Sequence, residues 1–219
     1  ILTQIELPKV VDEAERKLRS SILGALQDIS LEELEKRGLL DKLKALAGLG
    51  EAGAEAATEE LVDELHELWH RLPKSTRNRS SCIALYAKQL TALGHHEDAE
   101  GLLRKNIGRD WHPDLIRQYG EVRVPKALQQ MQRAEVWLVT RTEDTDLLLT
   151  VAKLSINAEQ WDKARTALDR LIVLAPSPIA YRLLAEVFEQ ADDTEAVNQC
   201  QREGLRLATN TIGMPVVRA

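Results

Sequence analysis

The stretch LLTVAKLSINAEQWDKA at residues 148–164 contains the pattern that decides the fold. It places an apolar residue before a small one at Val151-Ala152, and a turn signal follows at residues 157–160. An apolar restart then leads to Ala164, twelve positions after Ala152. Small residues at this spacing let two consecutive helices approach each other closely. The stretch therefore predicts a pair of helices joined by a short turn.

The same apolar–small pair occurs four times in the second part of the chain, at Tyr86-Ala87, Tyr119-Gly120, Val151-Ala152 and Leu184-Ala185. The small members lie 33, 32 and 33 positions apart, and another large apolar residue stands three positions before each pair. A period near 34 built from helical pieces is typical of tetratricopeptide repeats. We therefore predict an all-α fold, a right-handed α-solenoid of tetratricopeptide-type helix pairs.

The repeats are not equal. The second is expected to be irregular, with a shortened turn at Val124-Pro125 and with Trp137 on its second helix. The last has Val197 where other repeats have alanine, but it keeps Gly204 in register. Such arrays present an extended concave surface, which favours a binding scaffold over an enzyme. No phosphate-binding glycine loop or GxSxG motif is present, so we expect no catalytic residues and no cofactor.

The chain is predicted to divide into N-terminal helices that continue or cap the array at 1–57, the array itself at 58–211, and a tail at 212–219. The glycine-containing segment 48–57 is expected to be a flexible connection. The helix after it is predicted to begin at Thr58 and to end before Pro73. No run reaches the roughly 18 apolar residues that a membrane helix needs. The chain begins at Ile1 rather than Met, so we expect it to be part of a longer protein.

Charge is distributed unevenly along the chain, whose total is −6. Residues 1–73 have a net charge of −7 (9 basic, 16 acidic), residues 74–140 of +4 (11 and 7), and residues 141–219 of −3 (9 and 12). The basic centre is most simply a mixed solvated surface, and the alternative is a site for an anionic partner. We expect no nucleic-acid partner.

Two features resemble metal chemistry and are predicted not to provide it. His66 to His70 spell HELWH, which fits the H-E-x-x-H pattern of zinc proteases. Charged neighbours, the nearby Pro73 and the lack of a third-ligand motif favour a solvated helix face, and we predict no zinc site. Cys82 and Cys200 each lie alone on apolar-periodic helices, which predicts buried thiols and no disulfide framework.

Eight blocks can be compared with known repeat families: LWHRLP (68–73), ALYA (84–87), LGHHEDAE (93–100), LLRK (102–105), WHPDLIRQYG (111–120), RAEVWL (133–138), AYRLLAE (180–186) and REGL (202–205). Of these, residues 111–120 and 134–138 go beyond the Ala and Leu spacing of generic repeats. Together they resemble the HemY family of bacterial protohaem-biogenesis proteins over residues 60–208. Members of that family carry two N-terminal transmembrane helices and are associated with a late step of haem or porphyrin metabolism. The resemblance implies an array held at the inner membrane, expected on its cytoplasmic face, by an anchor that this chain lacks. It supplies no catalytic residues.

Two functions follow from the pattern and the resemblance. The favoured one is a membrane-tethered scaffold that organises haem-pathway enzymes or passes porphyrin between them. The other is a carrier that binds a tetrapyrrole directly, with a histidine such as His70 or His112 as axial ligand.

The predicted partner-binding residues lie on the first helix of each pair, where they would line the concave groove: Lys88, Arg117, Lys153, Asn157 and Arg182. The two lysines directly follow a recurring small residue, and Glu121 and Glu186 occupy the equivalent places in the other repeats. We expect these cations to bind an acidic peptide segment or a propionate-bearing ligand, more weakly as salt rises. The alternative is that the cations form ordinary ion pairs between repeats.

Overall fold

The computed structural model describes residues 51–211, and every regular element in that range is an α-helix. The helices are α1 Glu51–Arg71, α2 Lys74–Arg77, α3 Ser80–Ala92, α4 His96–Ile107, α5 Pro113–Tyr119, α6 Ala127–Thr140, α7 Thr145–Asn157, α8 Trp161–Leu174, α9 Pro178–Glu189 and α10 Thr194–Thr211. The chain divides into two units between His95 and His96, and each is described by itself. The predictions for residues 1–50 and 212–219 lie outside the described residues. No helix within residues 51–211 is both long and apolar enough to cross a lipid bilayer.

The first unit contains α1, α2 and α3. Helix α1 already includes Glu51, so the flexible connection predicted for residues 51–57 and the helix start predicted at Thr58 are wrong. Alanine and glutamate dominate this segment and are strong helix formers, whereas one internal glycine costs only about 1 kcal/mol. The helix ends at Arg71, before Pro73 as predicted. In α3 the buried residues Ile83 and Ala87 confirm the apolar and small positions of the first repeat.

The second unit begins with α4 and continues as three helix pairs, α5–α6, α7–α8 and α9–α10. Helix α7 packs on its pair partner α8, on the preceding α6, and on the first helices α5 and α9 of the neighbouring pairs. Helix α9 packs in the same way on α10 and α8. Contacts between pair partners and between equivalent helices of successive pairs define a helical repeat array. The prediction of an all-α fold built from tetratricopeptide-type helix pairs is confirmed.

The recurring small residues lie where helices cross. Ala152 and Ala164 are completely buried. A Cβ atom added to Gly120 would lie 3.1 Å from Thr150 Oγ1 and 3.2 Å from Thr150 Cα, and one added to Gly204 would lie 3.3 Å from Tyr181 Cβ. These distances leave little or no room for a larger side chain. The repeat period thus records the closest approaches between helices.

The second repeat is irregular in a different way from the one predicted. Its first helix, α5, has only seven residues, and the connection to α6 at residues 120–126 is long rather than shortened. Pro125 disfavours helical backbone at Val124, which keeps the chain from continuing as a helix. The side chain of Gln130 donates to the carbonyl oxygens of Tyr119 and Val122 at 3.2 and 3.1 Å, so it bonds part of the backbone that a longer helix would satisfy.

Candidate partner-binding surface

Four of the five predicted partner-binding residues lie in the second unit, on the first helices of its pairs. Arg117 is on α5, Lys153 and Asn157 are on α7, and Arg182 is on α9. We call these four residues the first-helix face. Arg117 and Arg182 are exposed, whereas Lys153 retains only 17% of its side-chain exposure. These residues lie outside the apolar core, but most of them are already engaged by neighbouring side chains.

Arg117 is held between two helices. Its guanidinium donates from Nη2 to Asp114 Oδ1 at 2.6 Å on α5 and from Nη1 to Asp146 Oδ1 at 3.0 Å on α7. The hydrogen bond to Asp114 is the main reason that the pKa of Arg117 is raised, and the contacts with Asp146 add to it. The charge of Arg117 therefore joins consecutive repeats and is not held ready for a ligand.

Lys153 and Asn157 also contact the preceding repeat. The Lys153 ammonium forms an ion pair with Glu121, and Asn157 Oδ1 accepts a hydrogen bond from Arg123 Nη1 at 2.7 Å. The ion pairs between repeats that the sequence left as an alternative are therefore present for Arg117 and Lys153. An acidic ligand would have to displace a carboxylate of the protein at both positions.

Arg182 and Lys88 differ from these residues. Arg182 is exposed on α9 and has no carboxylate partner among residues 51–211. Lys88 belongs to the first unit, where it is exposed on α3 and likewise lacks a carboxylate partner in the described part of the chain. Partner binding by either residue stays a prediction.

The sequence patterns gave no sign of a buried polar cluster around Glu100 on α4. The carboxylate of Glu100, whose side chain is 9% exposed, accepts hydrogen bonds at 2.9 Å from both Tyr119 Oη and Arg133 Nη1. Arg104 Nε adds an ion pair at 3.3 Å. Burial, followed by the nearby Glu100 charge, raises the pKa of Tyr119. The cluster ties α4, α5 and α6 together and has the character of a structural network.

Trp111 forms a second link between repeats. Its Nε1 donates to Asp144 Oδ2 at 3.0 Å, while Asp144 Oδ1 accepts from the backbone amide of Leu147 and caps α7. The guanidinium carbon of Arg141 lies 3.8 Å from the centre of a Trp111 ring, and Trp137 meets Trp111 edge-on at 6.0 Å. The tryptophans thus pack the junction between the second and third repeats.

The H-E-x-x-H segment lies on α1, and its side chains contact other side chains of the protein. Glu67 accepts from Arg71 at 3.0 Å, and His70 Nδ1 lies 3.5 Å from Arg77 Nη1. The ring of Tyr86 meets that of His66 edge-on at 6.0 Å. Among the residues whose side chains are described, no group of three or more His, Cys, Asp or Glu residues is placed to hold a metal ion. The absence of a zinc site stays a prediction.

His112, Cys200 and Cys82 are the remaining candidate side chains. His112 Nδ1 accepts a hydrogen bond from the backbone amide of Asp114 at 3.2 Å and caps α5. Cys200 is buried, as predicted, and burial raises the pKa of its thiol. Cys82 on α3 is only partly buried, so the prediction of a buried thiol is too strong there.

No protein-family model matches the chain, and no curated protein matches it. Two solved structures are similar to it, both of them crystal structures of the protein MamA. The first has a TM-score of 0.49 and 15% sequence identity, and the alignment covers 85% of this chain and 99% of that of MamA. The second has a TM-score of 0.48 and 14% identity, over 93% and 98% of the two chains. The fold assignment rests on the helix packing within this chain.

Proposed function

We propose that this chain is a non-enzymatic protein-interaction scaffold and that its binding site is centred on Arg182. The observation that carries the proposal is a difference between neighbouring first helices. Arg117 and Lys153 pair with acidic residues across the junction of α5 and α7, whereas Arg182 on α9 has no such partner among residues 51–211. An incoming carboxylate can bind Arg182 without displacing a carboxylate of the protein.

The partner that suits this site is an acidic peptide segment of another protein. A guanidinium binds a carboxylate with two parallel hydrogen bonds, which gives orientation as well as attraction. Because Arg182 is solvent-exposed, the attraction is screened by ions within a Debye length of roughly 8 Å at physiological salt. Binding should therefore weaken as salt concentration rises.

The finer part of the proposal concerns the biological setting. In the full-length protein the array is tethered to the bacterial inner membrane, on the cytoplasmic face, and binds enzymes of haem or porphyrin biosynthesis. This part rests on the resemblance of residues 60–208 to the HemY family. Direct tetrapyrrole binding has no structural observation in its favour, since Nδ1 of His112 caps a helix and that of His70 lies beside Arg77.

A matched pair of crosslinking sites tests the proposal. A photoreactive amino acid replaces Ile179, three positions before Arg182 on α9, in one variant of the full-length protein and Leu205, three positions after the exposed Arg202 on α10, in the other. We expect a protein adduct from membranes at position 179, identified by mass spectrometry as a haem-pathway enzyme, and little adduct at position 205. Equal labelling at both positions, or capture at position 179 that survives Arg182→Glu as well as it survives Arg202→Glu, would contradict the proposed site.

The identity of the crosslinked protein tests the biological setting separately. An adduct at position 179 with a protein outside haem metabolism would keep the scaffold and reject the haem pathway. Titration with haemin gives an independent reading: a sharp stoichiometric Soret shift that is lost on His112→Ala or His70→Ala would replace the scaffold with the carrier.

A further inference from the structure

The second helices α6 and α8 of the second unit expose several large apolar side chains. Five of the seven large apolar side chains that are exposed among the described residues lie on α6 and α8: Leu128, Val136, Val139, Val173 and Leu174. Val139 and Val173 are 76% and 84% exposed and stand 34 positions apart, so they occupy the same place in consecutive repeats. Apolar side chains clustered in this way mark surfaces that associate with other proteins.

A cleft of about 450 Å³ borders this patch. Its apolar lining comes from Leu138 and Val139 of α6, Val151 of α7 and Ala167 of α8. The backbone groups inside these helices already bond within their own helices, so the cleft offers no edge to which an extended strand could add. A cleft between helices suits the side-chain ridge of another helix, packed as helices pack within the array.

The charges beside the patch point to a particular occupant. Lys163 and Arg165 on α8 each have an acidic partner, Glu135 and Asp169 respectively, whereas Arg170 donates only to the backbone oxygen of Thr142. The exposed carboxylate of Glu143, next to Thr142 in the chain, also has no cationic partner among residues 51–211. The patch thus carries one cation and one anion that are both available, beside apolar side chains.

We propose that this second-helix face, formed by Val136, Val139, Glu143, Arg170 and Val173, is an isologous interface between two copies of the chain. Under a two-fold axis a surface must complement itself. Val139 and Val173 of the two copies bury each other, and Arg170 of each copy pairs with Glu143 of the other. An unrelated acidic partner would use Arg170 but would leave Glu143 facing like charge, so the pair of opposite charges favours a second copy.

Sedimentation equilibrium of the 219-residue chain tests this interface. We expect a concentration-dependent dimer whose dissociation constant rises at least about 30-fold in Val139→Asp, the loss typical of a central interface residue. The matched control is Leu205→Asp, which places the same charge at an exposed apolar position on α10 and should leave dimerisation unchanged. A chain that stays monomeric at all concentrations, or a dimer indifferent to Val139→Asp, overturns the proposal.

Exchanging the two charges tests whether Arg170 of one copy pairs with Glu143 of the other. Arg170→Glu and Glu143→Arg should each weaken the dimer by about tenfold, because each places like charges opposite one another. The double variant Arg170→Glu/Glu143→Arg restores the pairs with reversed polarity and should recover dimerisation. Unchanged helical circular dichroism and melting separate these effects from misfolding. Weak single variants without recovery in the double variant would reject this interface.

Discussion

The second and third repeats of the array are neighbours that differ in how their helices are held together. In the third repeat, α7 and α8 have 13 and 14 residues, a short turn joins them, and the buried alanines Ala152 and Ala164 let them pack closely. In the second repeat, α5 has only seven residues, and buried polar side chains around it form hydrogen bonds that hold it in place. Apolar and small residues thus dominate the packing of the pair of long helices, whereas buried hydrogen bonds link the short helix to its neighbours.

The largest expected effect comes from removing the polar cluster of the second repeat. Glu100→Ala should lower the free energy of unfolding by about 3 kcal/mol, because it removes the acceptor of Tyr119 and leaves Arg133 and Arg104 without their carboxylate. Thermal denaturation followed by circular dichroism measures this loss. Glu97→Ala, an exposed change on the same helix, is the control and should cost less than about 1 kcal/mol. A similar cost for both variants would mean that the short helix does not depend on the cluster.

Replacing two glycines by alanine distinguishes the effect of close packing from that of helix propensity. We expect the two replacements to change the free energy of unfolding in opposite directions. Gly120→Ala should destabilise the protein by about 2 kcal/mol, since its Cβ would lie 3.2 Å from the backbone Cα of Thr150. Gly101→Ala, on α4 with nothing within 4 Å of its Cβ, should stabilise the protein by up to about 1 kcal/mol. Chemical denaturation of both variants checks the signs. Equal stabilisation would show that α5 and α7 are not in close contact at Gly120.

The same contrast explains what could be predicted from sequence. The repeat period, the crossings at Ala152 and Ala164 and the turn between α7 and α8 follow from local patterns, because each depends on residues close in the chain. The cluster at Glu100 could not be foreseen, since two of its hydrogen-bond donors, Tyr119 and Arg133, come from other helices. A buried glutamate next to a recurring alanine looks, in sequence, like any solvated residue.

The ion pairs of the predicted partner-binding residues could not be foreseen for a similar reason. The sequence placed Arg117 and Lys153 correctly on first helices, but their ion pairs depend on which side chains of the next repeat lie opposite. That register is set by the crossing of α5 and α7 and not by spacing within either helix. The predicted start of α1 was wrong because the three glycines at 48, 50 and 53 suggested a flexible connection, whereas the alanines and glutamates from Glu51 onward favour a helix.

At alkaline pH, the stability of the folded protein should depend on the protonation of Tyr119. Burial raises the pKa of its phenol in the folded protein above the ordinary value of 10.0, so above about pH 10 the unfolded chain releases this proton while the folded chain retains it. The unfolded state then binds fewer protons, and stability falls with rising pH by up to about 1.4 kcal/mol per unit. Urea denaturation between pH 9 and pH 11 measures the slope. Tyr119→Phe should reduce it, and an unchanged slope would assign the loss to other groups.

The smallest expected effect is a gain in stability from a substitution in the turn of the third repeat. Glu159, between α7 and α8, has φ of 56°, in the left-handed region that costs side-chain-bearing residues about 1 kcal/mol. The turn after α3 has Gly94 with φ of 84° in the corresponding place, and glycine adopts this backbone without strain. Glu159→Gly should therefore raise the free energy of unfolding by about 0.5–1 kcal/mol, offset in part by the greater freedom of glycine in the unfolded chain. Glu159→Ala is the matched control: it removes the same charge, keeps the strain and should give no gain. If both variants gave the same change in melting temperature, the side-chain charge and not the backbone would limit this turn.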